Sequence, residues 1–371
     1  MNKKKVKILS TSRADFGIME ELIIKLQKIK KIDTELIVTG SHLSIDQGKT
    51  ILEIREKKIN KINIINSYTS NTERISILNS LAKSFKKFPE YLKKNKVDIL
   101  IVLGDRYELL PFCYSAIFFR IPILHIHGGE ETTEQLDNLT RKIISIISNY
   151  HFVTNIKHKK EVEKLINDKK HIYNIGSLSL SNIGKFIYKS KKELQKKYKI
   201  LLNKKILLIT FHPETVFYKR SVLGLKNLLK VLKKKRGFIK IFTGSNADEN
   251  GLKFNSIIKK FCENDDNSFF FKNLGRQNYF SFMKICEVVI GNSSSGIIEA
   301  PTVTKNIINI GNRQNGRLKS NRIINCGYSV EEIEHAFKYK RSNTKFQNPY
   351  YKKNSVEKAC NIILKIIKNK L

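Results

Sequence analysis

No apolar run in this chain is long enough to cross a bilayer. A spanning helix needs about 18 or more consecutive apolar residues, whereas IIKLQKI (23–29) is broken by lysines and DILIVLGD (98–105) is bounded by aspartates. The basic start, MNKKKVKILS, runs directly into a strand-like segment with no small-residue cleavage site, which argues against a secretory signal. Cysteine is sparse: Cys113, Cys262, Cys286, Cys326 and Cys360 lie far apart, with no CxxC pair. That spacing excludes zinc-ribbon and thioredoxin-like chemistry. The odd count and the apolar neighbours of Cys113 and Cys286 fit reduced, buried thiols in a cytoplasmic protein. No G-x-S-x-G elbow exists for a serine hydrolase of that type.

Acidic residues are also scarce, 33 against 70 Lys and Arg, for a net charge of +37. Such a balance invites a nucleic-acid reading. The lysines, however, are spread along the whole chain and form no single stripe, and no homeodomain, zinc-finger or RNP pattern accompanies them. Together with abundant Asn and Ile, this reads as compositional drift, so neither a nucleic-acid nor a membrane partner is expected. The charge would still speed the arrival of anionic substrates.

What is present is a regular alternation. VKILS (6–10), ELIVTG (35–40), DILIVLGD, PILHIHGG and YHFVTN read as strands, and each is followed by a helix-like stretch. Between Thr72 and Leu92, apolar residues at Ile75, Leu78, Leu81, Ala82, Phe85 and Phe88 trace a helical face. KKILLITFHPET, FIKIFTGS, EVVIGNSSSG and KNIINIGN continue the rhythm, and an amphipathic helix, SVEKACNIILKIIKNKL, closes it. Strands rich in Ile, Val and Leu without alternation imply parallel sheets covered on both faces, an α/β fold. At 371 residues, two domains are the natural expectation. The polar, basic stretch near 177–200 places the boundary, giving domains over 1–180 and 181–355 and a terminal helix over 356–371.

Ligands of open parallel sheets bind beyond the carboxyl ends of the strands, and the polar, glycine-bearing segments lie there. They are SRADFG (12–17), TGSHLSIDQG (39–48), LGDRYE (103–108), HIHGGE (125–130), TFHPET (210–215), GSNADENG (244–251), GNSSSGIIE (291–299) and IGNRQNGR (310–317). In GNSSSGIIE a strand ends near Ile290 and a helix begins near Ser295, so amides and hydroxyls at a helix start could hold a diphosphate, or simply cap the helix. Glu299, one turn on, could accept from ribose hydroxyls. Asp105 follows a fully apolar strand, where a carboxylate is either poised for acid–base work or caps the next helix. Asp137 and Arg141 are four apart on a helix, the spacing of an ordinary ion pair. The His-x-His…Glu spacing of HIHGGE occurs in some metal sites, but those need a further ligand on a β-barrel, so no metal is expected.

Taken in this order, SRADFG, GSHL, GDR, HIHGGE, the Asp137-to-Arg141 spacing, NSSSG with Glu299, and IGNRQNGR resemble the hydrolysing UDP-N-acetylglucosamine 2-epimerases of sialic acid and related nonulosonate biosynthesis, over about residues 6–340. The resemblance implies two Rossmann-like domains in a GT-B arrangement, with an interdomain cleft and the nucleotide held mainly by the second domain. It assigns catalysis to Asp105 and Asp137, support of the second carboxylate to Arg141, and phosphate contact to His212. Ser293, Ser294 and Glu299 would hold diphosphate and ribose, Arg13 and Arg313 would lie at the nucleotide, and His42 near the sugar. Where some relatives carry a catalytic Glu as the third residue of the HIHGGE segment, this chain has His127, so His127 or Glu130 takes that role. Lys142 likewise stands where a histidine often follows the arginine. The resemblance further implies a nucleotide-sugar substrate, no cofactor and a homo-oligomer, dimer or tetramer. Rival readings are a non-hydrolysing 2-epimerase, a GT-B glycosyltransferase, and a basic nucleic-acid-binding protein built on a dead enzyme fold.

Overall fold

The computed structural model describes residues 3–44, 49–67, 74–132, 135–214, 217–245, 251–338 and 346–369. Residues 45–48, 215 and 246–250 of the polar segments, and the Thr72 start of the expected helix, lie outside these. The chain divides into two compact units. The first comprises Met1–Glu130, Gln135–Asn182 and Tyr350–Leu371; the second comprises Glu131–Glu134 and Ile183–Pro349.

The first unit is built on β1 (Lys4–Ser10), β2 (Ile32–Val38), β3 (Ile62–Ile64), β4 (Ile99–Leu103), β5 (Ile123–Ile126), β6 (Tyr150–Val153) and β7 (Ile172–Asn174). They pair in the order β3-β2-β1-β4-β5-β6-β7, all parallel. The second unit uses β8 (Lys205–Thr210), β9 (Phe238–Thr243), β10 (Ser268–Phe271), β11 (Val288–Gly291), β12 (Ile307–Ile310) and β13 (Ile323–Cys326). Their order is β10-β9-β8-β11-β12-β13, again all parallel. Both sheets thus run outward from a central strand and then reverse, as in Rossmann domains. The reversal points lie between β1 and β4 and between β8 and β11, and ligands of such sheets bind at these points.

The missing alternation in the strands has a direct cause. Along β4, Ile99, Ile101 and Leu103 enter one core with Val6, Ile8, Met19 and Leu22, while Leu100 and Val102 enter another with Leu9, Phe88 and Phe112. Both faces are covered, so every position is apolar. In the second unit, Leu207, Ile209 and Phe211 pack with Leu225, Leu228, Phe254 and Ile333. The helix Ser355–Asn369 returns to the first unit, where Val356, Ala359, Cys360, Ile363, Ile366 and Ile367 complete the core around Met19 and Leu22. All five cysteines are free, and burial pushes their thiols up, Cys113 and Cys286 to about 12.

The helix Arg74–Lys94 differs from its expected single face. Leu81 and Phe88 turn inward with Ser84 and Leu92, whereas Ile75, Leu78, Ala82 and Phe85 form a separate, exposed stripe. Two charged pairs are built into the sheets. Lys7 of β1 pairs with Glu35 of β2, which also accepts from the Tyr91 hydroxyl, and Lys240 of β9 pairs with Asp265 at 2.7 Å. Among the described residues no helix is long and apolar enough to cross a membrane.

Candidate active site

The first unit gathers its polar residues at the carboxyl ends of β1, β4 and β5. After β1, Ser12 caps the helix Arg13–Gln27 and Asp15 returns the bond in a capping box. The buried Asp15 carboxylate accepts from the Thr11 amide at 2.8 Å, the Thr11 hydroxyl at 2.9 Å and the Ser10 hydroxyl at 2.8 Å. His42, fully buried, sits 2.9 Å from Ser10 Oγ through Nε2 and 2.8 Å from Thr50 Oγ1 through Nδ1. Burial works against the Asp15 charge, but the His42, Thr11 and Ser10 contacts outweigh it and hold the carboxyl below its ordinary value. Arg13 lies half-buried at the head of the same helix. His42 therefore belongs to a network that fixes the turn after β1.

At β4 and β5 the geometry centres on one guanidinium. Arg141, inward-facing on the helix Gln135–Ile146, pairs through Nη2 with the Asp105 carboxylate and donates through Nη1 to the Glu130 carbonyl at 2.6 Å. Arg141 is buried, whereas the Asp105 side chain keeps about a quarter of its surface. Asp137 stands one turn before Arg141, half-buried. His127 Nδ1 lies 3.4 Å from Glu130 Oε1, and both side chains are buried. The structure thus links Asp105, His127, Glu130 and Arg141 by direct contacts, and keeps His42 in the neighbouring network.

Local backbone makes this possible. His127 has φ +68°, left-handed for a residue with a Cβ, and is followed by Gly128 and Gly129 (φ +76°). A side chain at Gly129 would meet the His158 carbonyl at 2.3 Å, so the loop passes too close for anything else. Strain at a non-glycine position of this kind is characteristic of functional sites. Behind it, His125 Nε2 lies 2.8 Å from the Gly104 carbonyl and Nδ1 lies 3.1 Å from Ser145 Oγ. Burial holds His125 down at about 3, so the ring is neutral; Nε2 then donates to the carbonyl and pins the residue before Asp105.

In the second unit the ends of β8, β11 and β12 meet around Asn292. Its Oδ1 accepts from the His212 amide at 2.7 Å and its Nδ2 donates to the His212 carbonyl at 2.8 Å, across the reversal point of the sheet. Its own carbonyl accepts from Gln314 Nε2 at 2.8 Å and Arg313 Nη1 at 3.4 Å. Asn292 and Gln314 are fully buried. Gly291 (φ +139°) brings the two loops into contact, since a Cβ there would lie 1.9 Å from the Thr210 carbonyl. His212 Nδ1 sits 3.3 Å from Ser245 Oγ.

Ser293 caps a single turn of helix, Ser294–Ile298, and Glu299 ends it, buried, before a second short helix, Ala300–Val303. The expected helix after NSSSG is therefore broken into two short pieces, with Pro301 near the start of the second. Ser293 and Ser294 are half-buried. Tyr279 stands behind them, its hydroxyl pushed up by burial against the hydrogen bonds of Ser295 and Thr210.

The sequence reading missed Asn292, Gln314, Asp15 and His125. Each lies inside a segment already singled out. Spacing connects Asp15 to its cap, but His125 meets Gly104 21 residues away, Gln314 meets Asn292 22 away, and Asn292 meets His212 80 away. Among the described residues, no group of three or more His, Cys, Asp and Glu is arranged to hold a metal.

Comparison with known proteins gives one family. The family model "UDP-N-acetylglucosamine 2-epimerase" matches residues 24–364. A GDP/UDP-N,N'-diacetylbacillosamine 2-epimerase (hydrolyzing) of Campylobacter jejuni is 37% identical over 349 residues, covering 94% of this chain and 90% of that protein. A polysialic acid biosynthesis protein of Escherichia coli is 32% identical, covering 99% of this chain and 95% of its own length. Among solved structures, a UDP-GlcNAc 2-epimerase from Neisseria meningitidis bound to UDP-GlcNAc superposes with a TM-score of 0.80 at 19% identity, over 97% of this chain and 100% of that one.

Proposed function

The chain belongs to the UDP-N-acetylglucosamine 2-epimerase family, and on that premise we propose that it releases the nucleoside diphosphate from an activated 2-acetamido sugar while inverting carbon 2. The observation that carries the reading is the 37% identity, over nearly the whole chain, to a hydrolysing diacetylbacillosamine 2-epimerase. It favours a 2,4-diacetamido-6-deoxy sugar over plain N-acetylglucosamine, and a place ahead of sialic- or legionaminic-type acid synthesis. The enzyme acts as a cytoplasmic homo-oligomer.

The chemistry follows from bond strengths. A C2 hydrogen beside an acetamido group is only weakly acidic. Breaking the anomeric C1–O bond first makes C1 electron-poor and acidifies C2. The diphosphate leaves with that bond's electron pair, and stabilising its charge is the largest electrostatic demand. His212, Ser293, Ser294 and Arg313 of the second unit meet that demand in this reading, Glu299 accepts from the ribose, and Arg13 serves the nucleotide from the first unit. A carboxylate then takes the C2 proton and a glycal forms. Water adds its oxygen to C1, and a proton returns to the opposite face of C2. One water is consumed per nucleotide released, and no redox change occurs.

Two acid–base groups are needed, one for each face of C2. Asp105, steered by Arg141, serves as one. The second comes from Asp137 or from the buried His127–Glu130 pair, whose facing atoms are 3.4 Å apart. His42 acts through the turn after β1 in positioning the sugar side.

Turnover in heavy water tests the whole scheme. The released sugar should carry one solvent deuterium at C2 in the manno configuration. Simple hydrolysis, or a glycosyltransferase idling on water, releases the gluco sugar with its original hydrogen, and that result rejects the proposal. An epimerised nucleotide sugar without free nucleotide would point to the non-hydrolysing reaction.

A further inference from the structure

Two loops of the second unit carry groups that serve the diphosphate in the proposed reaction, His212 after β8 and Arg313 after β12. Asn292 ties them together once. A second tie is Tyr328, half-buried between β13 and the helix Val330–Lys338. Its Oη donates to Glu214 Oε1 at 2.5 Å and accepts from the Asn312 amide at 3.1 Å. Glu214 lies two residues after His212, with the stiff Pro213 between them, and Asn312 immediately precedes Arg313. One hydroxyl thus bridges both loops next to the groups that matter.

The chain makes room for this ring at two glycines. A Cβ at Gly224, on the helix Tyr218–Lys233, would lie 2.4 Å from Tyr328 Cδ1, and one at Gly311 would lie 2.3 Å from Cε1 and Cζ. Gly311 also has φ +77°, so backbone and space both require glycine there. The Tyr328 carbonyl accepts from Asn227 Nδ2 at 2.9 Å, which fixes the residue from the helix side. Burial and the Glu214 carboxylate push the hydroxyl above its ordinary value, so it keeps its proton and donates it, a strong form of hydrogen bond. A ring needed only to fill space would serve as well without its hydroxyl.

We infer that Tyr328 is a positioning residue for nucleotide binding: through Glu214 and Asn312 it holds His212 and Arg313 in place before the diphosphate arrives. This rests on the epimerase reading for the identity of the ligand. Groups fixed beforehand cost less to order on binding. Once the bridge is cut, the bound diphosphate must itself draw both loops into place. That cost falls on substrate and transition state alike, so it raises KM and spares kcat.

Tyr328→Phe removes the hydroxyl and keeps the ring. UDP titration should show a Kd about tenfold higher, and KM for the nucleotide sugar should rise equally, with kcat within about threefold of the wild type. Glu214→Gln keeps an acceptor for Oη and should bind UDP nearly as the wild type does. Glu214→Ala should match Tyr328→Phe, and the two combined should be no weaker than either, since all cut one bridge. Ile333→Ala, in the buried core of the same unit and outside both loops, controls for general loosening. It should lower the melting temperature and leave UDP affinity unchanged. Amide exchange without nucleotide tests the bridge alone: residues 211–214 and 311–314 should exchange on the order of ten times faster in Tyr328→Phe. A wild-type chain that binds no UDP defeats the epimerase reading, and the exchange result still decides the bridge. Exchange or UDP affinity unchanged in Tyr328→Phe overturns the inference, and so does an equal loss of affinity in Ile333→Ala.

Discussion

Removing the Asn292 amide should loosen the second unit and weaken nucleotide binding at the anion site proposed there. In Asn292→Ala, the His212 amide and carbonyl lose partners at 2.7 and 2.8 Å in a fully buried setting. Each buried group left unmade costs about 1–3 kcal/mol. Gln314 keeps its bond, because it donates to the Asn292 main-chain carbonyl. The sum is roughly 2–6 kcal/mol, reduced where water enters the vacated space. Hydrogen exchange over β8 and β11 reads this locally, which suits a chain of two units that need not unfold in one step. UDP titration reads the consequence at His212, and affinity should fall at least tenfold. Asn292→Asp separates the two effects. It keeps an acceptor for the His212 amide but loses the donor and places a carboxylate beside the anion site, so it should protect β8 better than alanine yet bind UDP no better. Exchange and UDP affinity both unchanged in Asn292→Ala would refute the reasoning.

Other expectations concern the first unit. Asp105→Asn should lower kcat by roughly 10²-fold or more, the scale of one acid–base group, while UDP affinity stays as in the wild type; unaltered turnover removes Asp105 from the chemistry. Burial holds His125 at about 3 and His151 at about 4, against the ordinary 6.5. Their neutral forms favour the fold, so the stabilisation is complete above 6.5 and is lost as pH falls from there towards 4 and 3. By pH 5 the loss should reach roughly 2 kcal/mol per histidine. Urea midpoints at pH 7 and pH 5 measure it, and His151→Phe should flatten the slope; equal midpoints for the wild type contradict the buried neutral assignment.

The sheets were readable because a parallel strand buried on both faces is mostly apolar, as 99–103 shows. The loops after them were readable as a set because polar, glycine-bearing segments recur at the carboxyl ends. What escaped was pairing at a distance. Asp137 and Arg141 suggested an ion pair by their spacing, but the pair that shapes the site joins Arg141 to Asp105, 36 residues earlier. The same limit hid Asn292, which reads as a turn residue until His212 is placed beside it. Helix 74–94 misled for another reason. Periodicity marks apolar positions without saying what covers them, so two stripes facing different surroundings merged into one. The short helix after Ser293 broke early because Pro301, a natural helix start, follows so soon.

The helix Ser355–Asn369 has a consequence for how the chain is made. Its side chains close the core around Met19 and Leu22, yet they leave the ribosome after the whole of the second unit. Synthesis runs from the amino end, and domains fold as units while it proceeds. Here the usual order is inverted: the later-starting unit has all its strands before the earlier one has its last helix. During that interval the first unit lacks the apolar cover of that helix, and a chaperone would meet the protein, or a truncated chain would remain, in that state.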